Sequence, residues 1–396
     1  MKRSIKIAVA AALALSGTSA FATNGDHLIG MGAKARGMGG IGIGMSHGAE
    51  SALANPALIS SVKGTEISFG GTIFMPDVQT TVGEGYKDSS ADLSVIPEVA
   101  VAQKVSDNFT WGIGMFGTAG MGVDHRAETG GAFNNYKMVT NLQLMQFAVP
   151  LAYTIDSLSV GIAPVVQYGS LDINYLTPAL AQSTTQGVAQ DFGMGYNLGV
   201  SYEMSGLTVG ASYKSAIDML YKGQLSKATV QFGMNGGAGL ADNLEQPAEI
   251  GIGASYTTNG HTVALDYKKI KWESAKGYKD FGWEDQNVYI IGYQYAQDNW
   301  ALRAGYNYAK SPIKEQVGTD AAQKNLFNLL GFPGIVEKHY TVGGTYAFTK
   351  MTSLDLAYVY AAENTETFTA TGMTANNQVS TKHSQDAVSF QLNFAF

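Results

Sequence analysis

The sequence predicts an all-β fold, a 14-stranded antiparallel transmembrane β-barrel plugged by an N-terminal hatch. Three observations predict it: runs in which apolar and polar residues alternate, short turns that alternate with long polar or Gly-rich segments, and no mature apolar stretch of transmembrane-helix length. Successive side chains of a strand point to opposite faces, so such runs describe a sheet between an apolar medium and a polar or mixed interior.

The chain opens on an address. Lys2, Arg3 and Lys6 precede an apolar run from Ile7 to Leu15 and the triplet Ala20-Phe21-Ala22, the pattern of a secretory signal peptide with an A-x-A cleavage site. The run is too short to span a bilayer, which takes about 20 helical residues. Three regions are expected: a cleaved signal over 1–22, a hatch over 23–63 and a barrel over 64–396, exported to the outer membrane of a Gram-negative bacterium.

Losing the signal removes three of the 25 cations and none of the 32 anions, which moves the net charge from −7 to −10. A sparsely charged acidic chain carries no nucleic-acid footprint. Cysteine is absent, which excludes disulfides, thiolate metal sites and cysteine catalysis. The 48 Gly, 21 Tyr and 17 Phe, with 14% charged residues, suit many strands and turns better than an ordinary soluble enzyme.

The last strand is the clearest. Val388, Phe390, Leu392, Phe394 and Phe396 alternate with Ser389, Gln391, Asn393 and Ala395, and the chain ends on the aromatic, as outer-membrane barrels commonly do. Upstream, Leu207, Val209, Ala211 and Tyr213 oppose Thr208, Gly210, Ser212 and Lys214, while Ile250, Ile252, Ala254 and Tyr256 oppose Glu249, Gly251, Gly253 and Ser255. Trp300 to Tyr308 and Tyr340 to Phe348 repeat the pattern, with Tyr and Trp toward strand ends, where rings sit at headgroup level.

Short turns fall at 106–108, 156–157, 205–206, 258–260, 298–299 and 349–352. Longer segments lie near 80–91, 120–138, 176–189, 223–245, 274–283, 312–334 and 363–384. Six short turns alternating with seven long loops require fourteen strands with both ends on the short-turn side. Outer-membrane barrels keep short turns in the periplasm and long loops outside, and the sheet must close because an open edge would leave unpaired amides in lipid.

Residues 23–63 do not alternate. A G-x-G-x-x-G occurs at Gly37, Gly39 and Gly42, but no βαβ context supports a dinucleotide site. Leu28, Ile29, Ile41, Ile43, Leu53, Leu58 and Ile59 favour a segment folded back into the lumen over a free tail. Asn55, Pro56 and Ala57 read structurally as a cap or turn followed by a fixed φ.

This Gly-rich amino-terminal segment, followed by AESALANPAL over 49–58 and then a barrel, resembles the outer-membrane long-chain fatty-acid and hydrocarbon transporter family, of the FadL, OmpP1 and TodX type. The stretches 302–313 (LRAGYNYAKSPI) and 334–350 (GIVEKHYTVGGTYAFTK) are also similar to it, so the likeness spans essentially the mature chain. The resemblance implies a passive channel for a hydrophobic compound: capture at extracellular loops, transfer to an internal apolar pocket, hatch rearrangement, and lateral exit through a wall gap at a kinked third strand. Long-chain fatty acids are the expected cargo, with aromatic or aliphatic hydrocarbons the alternative.

Residues can be matched to each stage. Leu176, Ala179 and Leu180 in one loop and Val230, Phe232 and Met234 in the next would form an outer apolar groove, and Leu326, Phe327, Leu329 and Leu330 suggest a short amphipathic helix beside it; loop-to-loop packing accounts for these clusters equally well. The third strand, 109–122, has Gly114 and Gly117 among its glycines, the wall-gap candidates, since Gly in a strand often marks a bend. Glu203, Lys214, Glu249, Asp266, Lys268, Arg303 and Asp355 are expected to face the lumen, where Lys214 or Arg303 would meet a fatty-acid carboxylate.

Rival readings are weaker. The six His residues show no nucleophile motif or metal-ligand spacing, so neither an enzyme nor a metal or cofactor is expected. A hydrophilic porin would offer a hydrophobic solute nothing, whereas an apolar pocket supplies about 25 cal/mol per Å² of buried apolar surface. The expected partners are a hydrophobic small molecule and outer-membrane lipid, with the chain a monomer.

Overall fold

The computed structural model describes residues 23–128, 134–176 and 187–396. The expected signal peptide, Ala179 and Leu180 lie outside the described residues. Fourteen long strands follow in order: β1 (Thr65–Thr81), β2 (Ser94–Lys104), β3 (Phe109–Asp124), β4 (Val139–Ala148 and Leu151–Ile155, broken at Val149 and Pro150), β5 (Leu158–Asn174), β6 (Ala189–Met204), β7 (Leu207–Lys214), β8 (Glu249–Thr258), β9 (His261–Ile270), β10 (Gln286–Gln297), β11 (Trp300–Ala309), β12 (Lys338–Ala347), β13 (Thr352–Thr369) and β14 (Gln378–Ala395). Each pairs antiparallel with the next, and β14 returns to β1 with Val388 opposite Ile73 and Phe394 opposite Ile67, which closes the barrel.

The alternation read in the sequence sets the two faces. Val209, Ile252, Leu302, Val342 and Phe390 are exposed on the outside, while Ser212, Glu249, Arg303, Thr341 and Gln391 are buried inside. The short turns fall where expected. Ser205-Gly206 and Asn259-Gly260 both have positive φ at two successive positions, the geometry whose twist suits two-residue hairpins.

One loop differs from expectation. The segment 363–384 is mostly strand: β13 runs to Thr369 and β14 starts at Gln378. Its polar residues carry no lipid-facing signal, yet the ladder continues beyond the bilayer, with Thr367 and Ser380 hydroxyls 2.7 Å apart. At 18 residues each, these strands exceed the roughly 9–11 that span a membrane.

Residues 23–63 run inside the barrel. A short helix, α1 (Gly32–Gly37), packs against β11–β14, a turn over Gly48–Ala52 against β1–β3, and a second turn over Pro56–Ser61 against β3–β6. Leu28, Ile29, Met38, Ile41, Leu53, Leu58 and Ile59 are all buried. Inner-wall glycines let this segment lie directly on the sheet: a Cβ on Gly210 would stand 2.0 Å from the Ile43 carbonyl oxygen, and one on Gly305 2.2 Å from the Gly39 nitrogen.

Candidate functional site

Between residues 27–54 and the inner wall lies a cavity with about 50 Å³ of open space. Leu28, Ile29, Ile41, Ile43, Leu53 and Ile217 supply apolar lining, and Lys214, Lys268 and Glu249 form a polar end. Glu249 is shared: Lys214 Nζ lies 2.9 Å, Lys268 Nζ 3.4 Å and His27 Nδ1 3.8 Å from its oxygens. Two lysines thus face one carboxylate, because β7, β8 and β9 put positions 214, 249 and 268 on the same inward rows.

An aromatic box stands above the polar end. Trp272 is 5.2 Å from the His27 ring, 4.6 Å from Tyr278 and 5.0 Å from Trp283. The Tyr278 hydroxyl donates to Asp26. Burial raises the Asp26 carboxyl above its ordinary value and holds the Tyr278 phenol well above its own, so the phenol stays protonated as the donor.

Three polar anchors hold the amino-terminal segment. Asp266 of β9 accepts the successive amides of Gly42, Ile43 and Gly44 at 2.8, 2.8 and 3.1 Å. Arg36 of α1, itself buried, donates to Thr72 Oγ1 at 2.8 Å and to both oxygens of Glu98. Asn55 caps the turn that Pro56 begins, its Oδ1 accepting from Ala57 N at 3.1 Å, while its Nδ2 donates to Ile43 O at 2.9 Å and Val200 O at 3.2 Å. The triplet therefore ties two parts of the segment to each other and to the wall.

The wall itself is interrupted beside these anchors. Pairing between β2 and β3 stops at Glu98 opposite Phe116, although β2 starts at Ser94 and β3 continues to Asp124. On its other side β3 stays paired with β4 through a register shift between Gly117 and Ala119. The freed edge of β3 takes the amino-terminal segment instead: His27 bridges Ala119, and Gly120 N donates to Asp26 O at 3.0 Å. Pro97, which lacks an N–H, sits where the ladder ends. Gly117 lies at this break, with a Cβ there 2.5 Å from Ile96 Cγ2, whereas Gly114 is still inside the ladder opposite Ala100.

Other expected residues fall elsewhere. Arg303 does not join Lys214: it bonds Gln294 and Thr345 at 2.7 Å each and lies 3.6 Å from Asp355, in a cluster that also holds Lys34. The loop residues pack on one another. Phe232, at the end of the helix α2 (Leu225–Gln231), stands 4.7 Å from Tyr175, 5.6 Å from Tyr136 and 5.0 Å from Phe327. Met234 is buried, Val230 is exposed, and half-buried Leu176 donates its amide to Tyr136 O at 2.7 Å. The expected amphipathic helix is instead α3 (Ala321–Leu326) followed by a π turn over Phe327–Gly331, with Leu326, Phe327, Leu329 and Leu330 all buried because the loop folds over the mouth. Glu98, Arg36 and Pro97 were not singled out from the sequence; the proline inside a strand run hints at an interrupted ladder, and the register with β3 is what makes it the end of the pairing.

The description "Outer membrane protein transport protein (OMPP1/FadL/TodX)" matches residues 7–396. A 47 kDa outer membrane protein of Pasteurella multocida is 24% identical over 86% of this chain and 89% of its own length. A long-chain fatty acid transport protein of Escherichia coli is 23% identical over 81% of this chain and 85% of its own. Among solved structures, the P. putida toluene transporter TodX superposes with a TM-score of 0.68 at 19% identity, covering 93% of this chain and 99% of that one. A Pseudomonas aeruginosa FadL homologue gives 0.70 at 13% identity, covering 94% and 100%. The family match across the chain, with the closed fourteen-strand barrel, places this protein in the OMPP1/FadL/TodX family of outer-membrane transporters for hydrophobic compounds.

Proposed function

We propose that this chain carries long-chain fatty acids, and the observation that carries the reading is the pair Lys214 and Lys268 around the single carboxylate of Glu249 at the polar end of an otherwise apolar cavity. An anionic head group supplies the second carboxylate that two lysines can hold, and the alkyl tail gains by leaving water along Leu28, Ile41 and Ile217. The open space, about 50 Å³, is far below the roughly 300 Å³ at which ligand pockets begin. Residues 23–63 therefore act as a hatch that must shift for the ligand to enter. Exit follows laterally at the β2–β3 break, where Asp26 and His27 leave the edge of β3. Loops of the long side, including Leu176 and the segment that contains Leu180, make the first contact, and packing of Phe232 and Met234 sets how the mouth closes. Residues 1–22 serve as a cleaved export signal, and the barrel works as a monomer.

A second reading, an aromatic hydrocarbon as cargo, draws on the Trp272, Tyr278 and Trp283 box beside the cavity. Binding to purified protein separates the two. Oleate should bind, and Lys214→Gln with Lys268→Gln should weaken it about tenfold or more, the scale of a lost charge-assisted bond, while leaving toluene binding unchanged. Toluene binding with no measurable oleate binding would overturn the fatty-acid reading.

A further inference from the structure

The cavity between residues 27–54 and the wall has a second polar end. Of β3, β4 and β5, only Thr118 and Gln146 line it, and neither is charged. Thr118 sits in the register shift between Gly117 and Ala119, two residues beyond Phe116, where the β2–β3 ladder ends. Gln146 of β4 stands opposite Phe116 on the other side of β3. Both side chains therefore lie at the rim of the break, on the lumen side.

Their hydrogen-bonding capacity is not spent. Thr118 is only 6% exposed, and its hydroxyl has no partner among the described residues. Gln146 Nε2 donates to Gln167 Oε1 at 2.9 Å across β4 and β5; a side-chain amide carries two N–H donors, so one remains. Buried polar groups are ordinarily paired, and one that is not calls for an explanation. His27 spans the two ends of the cavity: its backbone bridges Ala119, next to Thr118, and its ring lies 3.8 Å from the Glu249 carboxylate that Lys214 and Lys268 share. A head group that leaves the lysines for the break passes from the charged end to the uncharged one within the reach of a single residue. The Glu98 carboxylate, opposite Phe116, is balanced by Arg36 in a buried pair, and the Asp26 side chain is turned to Tyr278.

We propose that Thr118 and Gln146 form a second, uncharged subsite for the carboxylate of the cargo, which takes the head group from Lys214 and Lys268 and presents it at the break between β2 and β3. The inference rests on the fatty-acid reading and on lateral exit. A channel needs sites that bind well enough to fill and weakly enough to empty. Two lysines hold a carboxylate by charge-assisted bonds, and moving it straight into an apolar gap would strip it of every partner. Two neutral donors at the rim keep it hydrogen-bonded while holding it less tightly than the lysines do.

The test compares Thr118→Val, which removes the hydroxyl and keeps the shape, with Thr118→Ser, which keeps the hydroxyl. Folding of each variant is read from the heat-dependent shift of the barrel on gels. Oleate affinity of the purified full-length barrel should be unchanged in both, because the lysines are intact. The maximal rate of labelled-oleate uptake, by cells carrying equal amounts of folded barrel, should fall about fivefold or more in Thr118→Val. The half-saturating concentration should not move, and Thr118→Ser should stay near the original rate. Undiminished uptake by Thr118→Val, an equal loss in Thr118→Ser, or a loss of affinity that matches the loss of uptake would overturn the proposal. Absence of oleate binding to the unaltered barrel would instead overturn the fatty-acid reading, and this subsite with it.

Discussion

Asp266 is the residue on which the position of the amino-terminal segment most visibly turns, since one carboxylate takes three successive amides of Gly42, Ile43 and Gly44. Asp266→Ala leaves those buried donors without an acceptor, at about 1–3 kcal/mol for each unsatisfied group. The expected result is a correctly assembled barrel with a several-fold rise in entry of small polar solutes, measured by liposome swelling; unchanged permeability would show that Asp266 does not fix the segment. Asn55→Ala should give a milder form of the same leak, because a lost cap costs about 1 kcal/mol. At this scale the sequence was only half legible. Strand parity alone puts Asp266, Lys214 and Arg303 on the inner face, but their partners depend on barrel register and on the path of residues 23–63, which no local pattern encodes. That is why Lys214 meets Lys268 and Glu249 while Arg303 joins Asp355.

The element that matters most is β3, whose edge leaves β2 after Phe116 and is taken up by Asp26 and His27. Gly117 faces Ile96 across the break, whereas a Cβ on Gly114 would meet the Phe116 ring at 2.6 Å and Ala52 at 3.3 Å. Gly117→Leu should therefore slow uptake of labelled oleate by cells while assembly stays normal, and Gly114→Leu should act through packing of the 48–52 turn. Normal uptake in both variants would remove these glycines from the exit path. The fourteen strands were legible because a period of two and hairpin turns are local properties. The break was legible only as a Gly-rich strand; its position follows from Pro97 and the register shift at Gly117, which require the neighbouring strand to be known. The aqueous extension of β13 and β14 was invisible for the opposite reason, since polar residues on both faces look like loop.

Across the whole molecule, a ligand inside the barrel can leave along the lumen or sideways through the break, and residues 23–63 obstruct the first route. Deleting 23–63 should raise polar-solute leak and weaken oleate binding, because the same segment fills the lumen and forms one wall of the cavity; normal affinity with no added leak would make it a mere tail. Orientation has its own check: tags inserted at Gly236 and Asn376 should be labelled on intact cells and tags at Ser106 and Thr258 should not, and labelling of the second pair would reverse the barrel. Lateral passage is directly testable, because the chain contains no cysteine of its own. A Cβ at Gly117 would lie 3.8 Å from that of Ile96, the spacing a disulfide favours. In a Gly117→Cys, Ile96→Cys chain, oleate uptake by cells should fall on oxidation and recover on reduction, with either single variant insensitive to both. Uptake that persists undiminished while the cross-link is shown to be complete would contradict passage through this gap.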